Sequence, residues 1–429
     1  MNADTSSYLP QTNPTSQSVF PQEVYDSIID HLHDEREALN TCSLVSKAWV
    51  SSSSFHLWIG LTWKECFREL LELFQRSPHI PRNLRQLTLT SARLNGDRWT
   101  SDTECVVELL PCECLLTTLD LTPRLDTLEL FDVGWDKHRC PWPDATSHKR
   151  FTRKMDTVVL GHSGDMCCED DLHWLACFSH IGSFVGRGDL KIPSRVRPQS
   201  SNIRIDNIDL LECAKVACIR MVRDFFPYML ELACVRSVTF SDILQPDVYE
   251  AFLYGIRNVE ALRYALPEEP YSLSQFTCLR SLTIDDIVCD WGDGSLYTAM
   301  WWERYILSHF GNNATGRIEE LGVVLYFPAR SIMEDGSRSE SSWPDRILLA
   351  VDWAAAIPVL RRCAPRCKLR VEIRCHVDVD VSEAAVNEAI HAAFRDVKDQ
   401  YTVEVVHKVY GYEMLQEKYE HHWQLMYAL

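Results

Sequence analysis

A six-residue pattern with apolar residues at its first, fourth and sixth positions recurs along this chain and constrains its fold more than any other feature. Clear copies are LRQLTL from Leu84, LTTLDL from Leu116, LDTLEL from Leu125 and LRSLTI from Leu279. Looser copies begin at Met155, Val235, Val259 and Ile318. The alternation at the end of each copy turns every second side chain to one face, which predicts a β-strand.

Segments with helical periodicity lie between many of these strands. They include KECFRELLELFQ before the Leu84 copy, DVYEAFLYGI before the Val259 copy and MWWERYILSHF before the Ile318 copy. Because alternating helices and strands require crossover connections, this order predicts an α/β fold with a parallel sheet. The repetition favours an irregular solenoid that resembles the leucine-rich-repeat proteins.

The period of the repeat is uneven. Copies from Val235 onward start 24, 20 and 39 residues apart, whereas leucine-rich repeats run at roughly 20 to 29 residues. Leu116 and Leu125 are only nine residues apart, so those two copies are expected to form a short hairpin. Residues 186–204 and 329–345 have the composition of long loops. A generic α/β domain with a parallel sheet is the alternative to a solenoid.

The last part of the chain, from about residue 346 to residue 429, is expected to cap the repeats. LRVEIRCHVDVDV alternates strictly from Leu369 to Val381, which predicts a strand. EAAVNEAIHAAFRDVKD has its apolar residues on one helical face, and TVEVVHKV predicts a final strand. These elements would cover the last apolar edge of the sheet, as the ends of a solenoid require.

Charge and cysteine content restrict the partners and the compartment. The net charge is −18, which repels nucleic-acid backbones, so no nucleic-acid partner is expected. No apolar run approaches the ~20 residues of a membrane span, and no signal peptide is recognisable, so no membrane partner is expected either. The 17 cysteines are an odd number and are scattered, which favours reduced thiols in the cytoplasm, the nucleus or both.

The N-terminal region has a different pattern. Residues 1–18 are polar and are expected to be a disordered tail, and residues 20 to about 60 carry the spacing of three short helices. About forty residues cannot bury many apolar side chains by themselves. Several of these side chains are therefore expected to face another protein. The candidates are Phe20, Pro21, Val24, Ile28, Leu32, Leu39, Cys42, Leu44, Val45 and Trp49.

The segment FPQEVYDSIIDHLHDEREALNTCSLVSKAW resembles the F-box, and chains of this kind are numerous in fungi. The family pattern is Leu-Pro-x-Glu, then apolar residues at helical spacing, then Leu-Val-Ser/Cys-Lys/Arg-x-Trp. Phe20 stands where the family usually has Leu, a change of similar volume and polarity. The match places an F-box at residues 19–62 and leaves residues 63–429 as the degenerate repeat domain.

The F-box resemblance implies a function. Such a chain docks on the Skp adaptor and, through it, on a cullin-type ubiquitin ligase, while the remainder of the chain binds a protein substrate. The resemblance implies no catalytic residue and no cofactor. The alternative is a repeat-protein interaction scaffold whose N-terminal helices only cap the solenoid.

No enzyme signature was found that would change this interpretation. The P-loop, G-x-G-x-x-G, G-x-S-x-G and H-E-x-x-H motifs are all missing from the sequence. Two groups of cysteine and histidine, around Cys167 and around Cys363, lack the paired spacing of zinc ligands, so no metal is expected. Asp378 and Asp380 are expected on an exposed strand face without a partner base.

Overall fold

The structure is a computed structural model of the 429-residue chain. It describes residues 21–33, 35–64, 66–90, 109–110, 112–131, 133–135, 153–162, 172–188, 190, 203–213, 215–243, 252–265, 276–288, 318–327, 357–358, 360–361, 367–376, 383–395 and 402–410. Several sequence predictions fall outside these ranges. They concern the tail at residues 1–18, Phe20, the helix in MWWERYILSHF, the loop at 329–345, and Cys167, Cys363, Asp378 and Asp380.

Three helices form the N-terminal unit: α1 (Gln22–Asp30), α2 (Arg36–Val45) and α3 (Lys47–Leu57). Ser46 is extended and separates α2 from α3. The four consecutive serines at 51–54 lie inside α3. Their small side chains allow close helix packing, and Ser53 is completely buried.

One parallel sheet dominates the part of the chain that the structure describes. It has twelve strands, each of which pairs with the next strand of the same sheet along the chain. Strands β3 and β5 form a separate two-stranded sheet, so the described chain has fourteen strands in all. The strands are β1 (Gly60–Trp63), β2 (Gln86–Thr90), β3 (Leu109–Leu110), β4 (Thr127–Phe131), β5 (Gly134–Trp135), β6 (Arg153–His162), β7 (Phe178–Gly188), β8 (Arg204–Cys213), β9 (Ser237–Ile243), β10 (Ala261–Ala265), β11 (Ser281–Val288), β12 (Glu320–Phe327), β13 (Lys368–His376) and β14 (Thr402–Tyr410). This progressive order is that of an α/β solenoid-like fold, because a doubly wound sheet reverses its order at a switch point.

The fourth position of the repeat pattern builds the core. In seven copies the residue at this position pairs in register, and with one apolar residue from each of the other five strands these residues form one apolar row across the whole sheet. The row consists of Leu61, Leu87, Leu128, Val158, Phe184, Ile208, Val238, Leu262, Leu282, Leu321, Leu369 and Val403. All are buried except Val403, which packs partly buried against the same core. The sequence alternation thus becomes a continuous hydrophobic layer.

Helices cover this apolar layer between several strands. Helix α4 contributes Phe67, Leu70 and Phe74, which are spaced by three and four residues and are all buried. The other helices are α5 (His79–Asn83), α6 (Cys112–Leu121), α7 (Lys215–Arg220), α8 (Phe226–Met229) and α9 (Glu383–Ala393), with α4 at Phe67–Arg76. A π-helical turn (Met221–Phe225) joins α7 to α8, and 3₁₀ turns occupy Leu172–Cys177 and Leu232–Cys234.

The structure corrects two local predictions. LTTLDL, expected as one strand of a hairpin, lies in helix α6. Its region buries Leu115, Thr118, Leu119 and Thr122, whose spacing of three and four residues is helical. The second correction concerns only the ends of the expected loop at 186–204, because β7 continues to Gly188 and β8 begins at Arg204, while residues 191–202 lie outside the described residues.

The last two described strands continue the sheet. Strands β13 and β14 pair in full register, and α9 buries Ile390 beside them. Strand β13 ends at His376, and residues 377–382, which completed the predicted alternation to Val381, lie outside the described residues. No helix in the described ranges is long and apolar enough to cross a membrane.

Candidate protein-docking surface

Three side-chain contacts, which follow one another in the same order along both helices, join α1 to α3. The rings of Tyr25 and Trp49 lie 5.7 Å apart between centroids. The Ser52 hydroxyl donates to Oδ1 of Asp26, and His56 Nε2 lies 2.7 Å from Oδ1 of Asp30. Because the contacts advance together along both helices, α3 runs alongside α1 in the same direction.

The polar contacts between these helices influence the charge state of Asp26. Hydrogen bonds from the Ser52 hydroxyl and then from the Gln22 amide, at 2.8 Å, keep the pKa of the Asp26 carboxyl below its ordinary value. Hydrogen bonds to a carboxylate favour its charged form. Asp26 therefore links α1 to α3 as a carboxylate at neutral pH.

The N-terminal unit has a small core of its own. Ile29 of α1 and Leu39 and Cys42 of α2 are buried, with Ile29 and Leu39 at most 1% exposed. The main hydrophobic cluster of the sheet begins at Leu61 and includes no described residue of α1, α2 or α3. Trp58 packs partly buried against that cluster, so the boundary between the two cores falls just after α3.

Large apolar side chains are exposed mainly on this unit. Eight such side chains are exposed among the residues that the structure describes, and six of them lie between residues 24 and 59. They are Val24, Ile28, Leu44, Val45, Val50 and Ile59, and the other two are Tyr228 and Tyr254. A soluble surface rarely concentrates apolar side chains in this way unless another molecule covers them.

The exposed side chains lie on all three helices. Val24 and Ile28 are four residues apart in α1 and share one face, each about two-fifths exposed. Leu44 and Val45 close α2 and are 86% and 64% exposed. Val50 follows Trp49 in α3. This arrangement can bury apolar area against a partner but offers no nucleophile or acid–base pair.

The predicted site residues thus fall into two groups. Pro21, Val24, Ile28, Leu44 and Val45 are exposed, whereas Leu39 and Cys42 are buried and Leu32 and Trp49 are partly buried. The buried residues hold the three helices together. The structure brings the exposed ones to the surface.

Sequence reasoning missed the exposed apolar residues Val50 and Ile59. A usable signal existed for Val50, because adjacent residues on a helix point about 100° apart. If Trp49 packs inward, Val50 must therefore point in another direction. Ile59 lies between α3 and β1 and has no such periodic signal.

The described residues contain no group of three or more His, Cys, Asp or Glu side chains that could hold a metal ion. The cysteines for which the structure describes a side chain are free thiols. Burial raises the pKa of Cys177 to about 12 and that of Cys367 to about 11, which keeps both protonated at neutral pH.

Comparison with known proteins adds no family assignment. No protein-family model and no curated protein matches this sequence.

Proposed function

We propose that this chain is the substrate-recognition subunit of a Skp–cullin–F-box ubiquitin ligase. Residues 19–62 would form an F-box that docks the Skp adaptor, and the repeat domain would hold a protein target near the recruited ubiquitin-conjugating enzyme. Its contribution to the reaction would be an increased effective concentration of the target, not a catalytic group. The cytoplasm and nucleus, where free thiols persist, suit this role.

One observation carries the proposal: the concentration of exposed apolar side chains on a helical unit that already has its own core. If the helices only capped the solenoid, their apolar residues would be expected to join the core of the sheet. Instead, the buried residues of α1 and α2 lie outside the main cluster, while Leu44 and Val45 face solvent. This favours a docking arm over a cap.

The residues divide naturally between two roles in this proposal. Pro21, Val24, Ile28, Leu44 and Val45 would contact the adaptor, and Val50 would extend that contact. Leu32, Leu39, Cys42 and Trp49 would support the helices from within. Phe20 lies outside the described residues and stays a predicted contact.

Co-purification of the full chain with the Skp adaptor tests the proposal. The variant P21S/L44S/V45S should lose the adaptor, because it replaces three exposed contacts with polar groups. The matched control Y228S/Y254S removes apolar side chains that are 51% and 70% exposed in the repeat domain, and it should retain the adaptor. Adaptor binding by the triple variant would contradict the proposed surface.

Deletion of residues 1–57, which ends with α3 and leaves Trp58 and strand β1 in the repeat domain, separates the proposal from the cap alternative. Loss of a cap exposes the first repeat, so the truncated protein should then aggregate. Loss of a docking arm should leave a monodisperse repeat domain that no longer binds the adaptor. Size-exclusion chromatography of the truncated chain distinguishes these outcomes.

A further inference from the structure

The two edges of the twelve-stranded sheet differ in length. At one edge, β1 has four residues, and Trp58, two residues before it, packs against the core. At the other edge, β14 has nine residues, and no described strand pairs with its outer side. A short edge strand is one of the ways in which proteins prevent pairing with another chain. The β14 edge does not have that protection.

The regularity and composition of β14 also favour pairing. All nine of its residues align with β13 without a bulge. The strand contains no proline or glycine, and four of its nine residues are valine, a β-branched residue that suits strands. Prolines, bulges and clustered charges are the other features that block sheet edges. This strand has one glutamate and one lysine, so its backbone can accept a further strand.

The hydrophobic core is incomplete at the same edge. The apolar row ends at Val403, its only member that is not buried. A second registered row, two residues further along each strand, ends at Val405, which is also only partly buried. The members of this second row on the four preceding strands are all buried, namely Tyr264, Ile284, Val323 and Val371. A strand beyond β14 would remove more of both valines from water.

Strand β14 is complementary to a second copy of itself. Two copies of one strand can pair antiparallel about a two-fold axis. The register that pairs all nine residues places Val406 opposite its own copy. The same register places Glu404 opposite Lys408 on both sides of the axis. Opposite charges across a strand pair stabilise it, whereas like charges destabilise it.

Other registers are less favourable. A slip of one residue would set the core side of one copy against the polar side of the other. A slip of two residues separates Glu404 from Lys408, and a slip of four brings two copies of Glu404 or two copies of Lys408 together. The register with the most paired residues is therefore also the register that matches the charges.

The existing contact of Glu404 is compatible with this pairing. Its Oε2 contacts the ammonium of Lys368 on β13, and its side chain is 39% exposed. The hydrogen bond from Lys368 keeps the pKa of the Glu404 carboxyl below its ordinary value, so the group is charged at neutral pH. A carboxylate has about four acceptor positions, which allows a second cation to approach.

We propose that two copies of this chain associate through β14, which pairs antiparallel with its own copy about Val406. The two-fold axis is perpendicular to the sheet, so both core layers lie on the same side of the joined sheet. The N-terminal unit adjoins β1 at the opposite edge. Association therefore leaves the proposed adaptor surface accessible, and the inference does not depend on the proposed function.

Sedimentation equilibrium of the full-length chain, across a wide range of concentrations, tests the association. The natural chain should show a reversible equilibrium between monomer and dimer. Val406→Lys should weaken the dimer by roughly fivefold, because two lysines then face each other, and Val406→Glu should do the same. A mixture of the two variants should dimerise more strongly than either alone. Val406 lies on the sheet face opposite the core, so the thermal midpoint of each variant should be retained.

Cysteine cross-linking tests the register. Opposed residues of an antiparallel pair have Cα atoms about 4.5 to 5.5 Å apart, which is within reach of a disulfide. Val406→Cys should therefore give a covalent dimer with oxidised glutathione, seen by non-reducing electrophoresis. The matched control Thr402→Cys should not, because its two copies would lie about 27 Å apart along the strands. The natural chain, which has 17 cysteines, shows the background.

Three results would overturn the proposal. A monomer at every concentration would mean that the edge has another occupant, either residues 411–429 of this chain or a strand of a different protein. An unchanged dimer in Val406→Lys, or no gain when the two charged variants are mixed, would place the contact elsewhere. Equal cross-linking of Thr402→Cys and Val406→Cys would exclude this register.

Discussion

Replacing Leu44 and Val45 by serine should separate binding from folding. Both side chains are exposed in the free chain, at 86% and 64%, so the double variant should change the free energy of unfolding by less than about 0.5 kcal/mol. A fully buried leucine or valine contributes about 2 kcal/mol. Scaled by these exposures, burial of both against an adaptor contributes about 3 kcal/mol, or about 150-fold in Kd.

Titration calorimetry of purified Skp adaptor into the full-length chain measures this difference, with thermal unfolding of each variant alongside. The contrasting variant is Leu39→Ser, which places a hydroxyl in a site that is 1% exposed and should loosen the three helices. If L44S/V45S binds the adaptor within about threefold of the natural chain, these side chains are not at the interface. A large loss of stability would instead show that they pack within the free chain.

Three further predictions follow from the described contacts. Asp285→Ala should destabilise the repeat domain by about 3 kcal/mol, because it leaves buried charge unpaired, and adding Arg263→Ala should recover part of this loss in denaturant titrations. Exposed Cys278 should react with iodoacetamide in the native protein, whereas Cys177, whose pKa burial raises to about 12, should react only in denaturant, as mass spectrometry of the labelled sites can check. The lowered pKa of Asp26 means that its stabilising contribution is fully present above the ordinary carboxyl pKa and is lost as the pH falls through the lowered pKa, so the hydrogen-exchange protection factors of residues 22–57 should fall over that acidic range, and Asp26→Asn should reduce that pH dependence.

The sequence predicted the repeat strands well where their alternation was apolar. Seven of the eight copies of the pattern correspond to strands of the sheet, while the copy at Leu116 is helical. Leucines at positions one and four of the pattern are compatible with either a strand or a helical face, so the pattern alone could not distinguish a helix from a strand at Leu116. Packing of Leu115 and Leu119 against the core selected the helix.

Other strands carried too little local signal. Strand β7 contains Gly182 and Gly186, and β8 contains Asp206, Asn207 and Asp209, all residues that disfavour strands locally. Each strand forms because neighbours on both sides supply backbone partners in register. Such pairing joins residues far apart in the chain, and short-range periodicity does not reveal it.

The sequence by itself determined the period-two alternation that builds the sheet and the helical spacing that places many apolar residues near the N-terminus. Only the tertiary structure decided that Leu39 and Cys42 turn inward while Leu44 and Val45 face solvent, because burial depends on which helix packs alongside. It also decided that Arg263 meets Asp285, whose carboxylate accepts hydrogen bonds from its Nε and Nη2. Charge pairing on a sheet depends on the register between strands, and residues such as Arg263 and Asp285, on neighbouring strands, meet only after the sheet has formed.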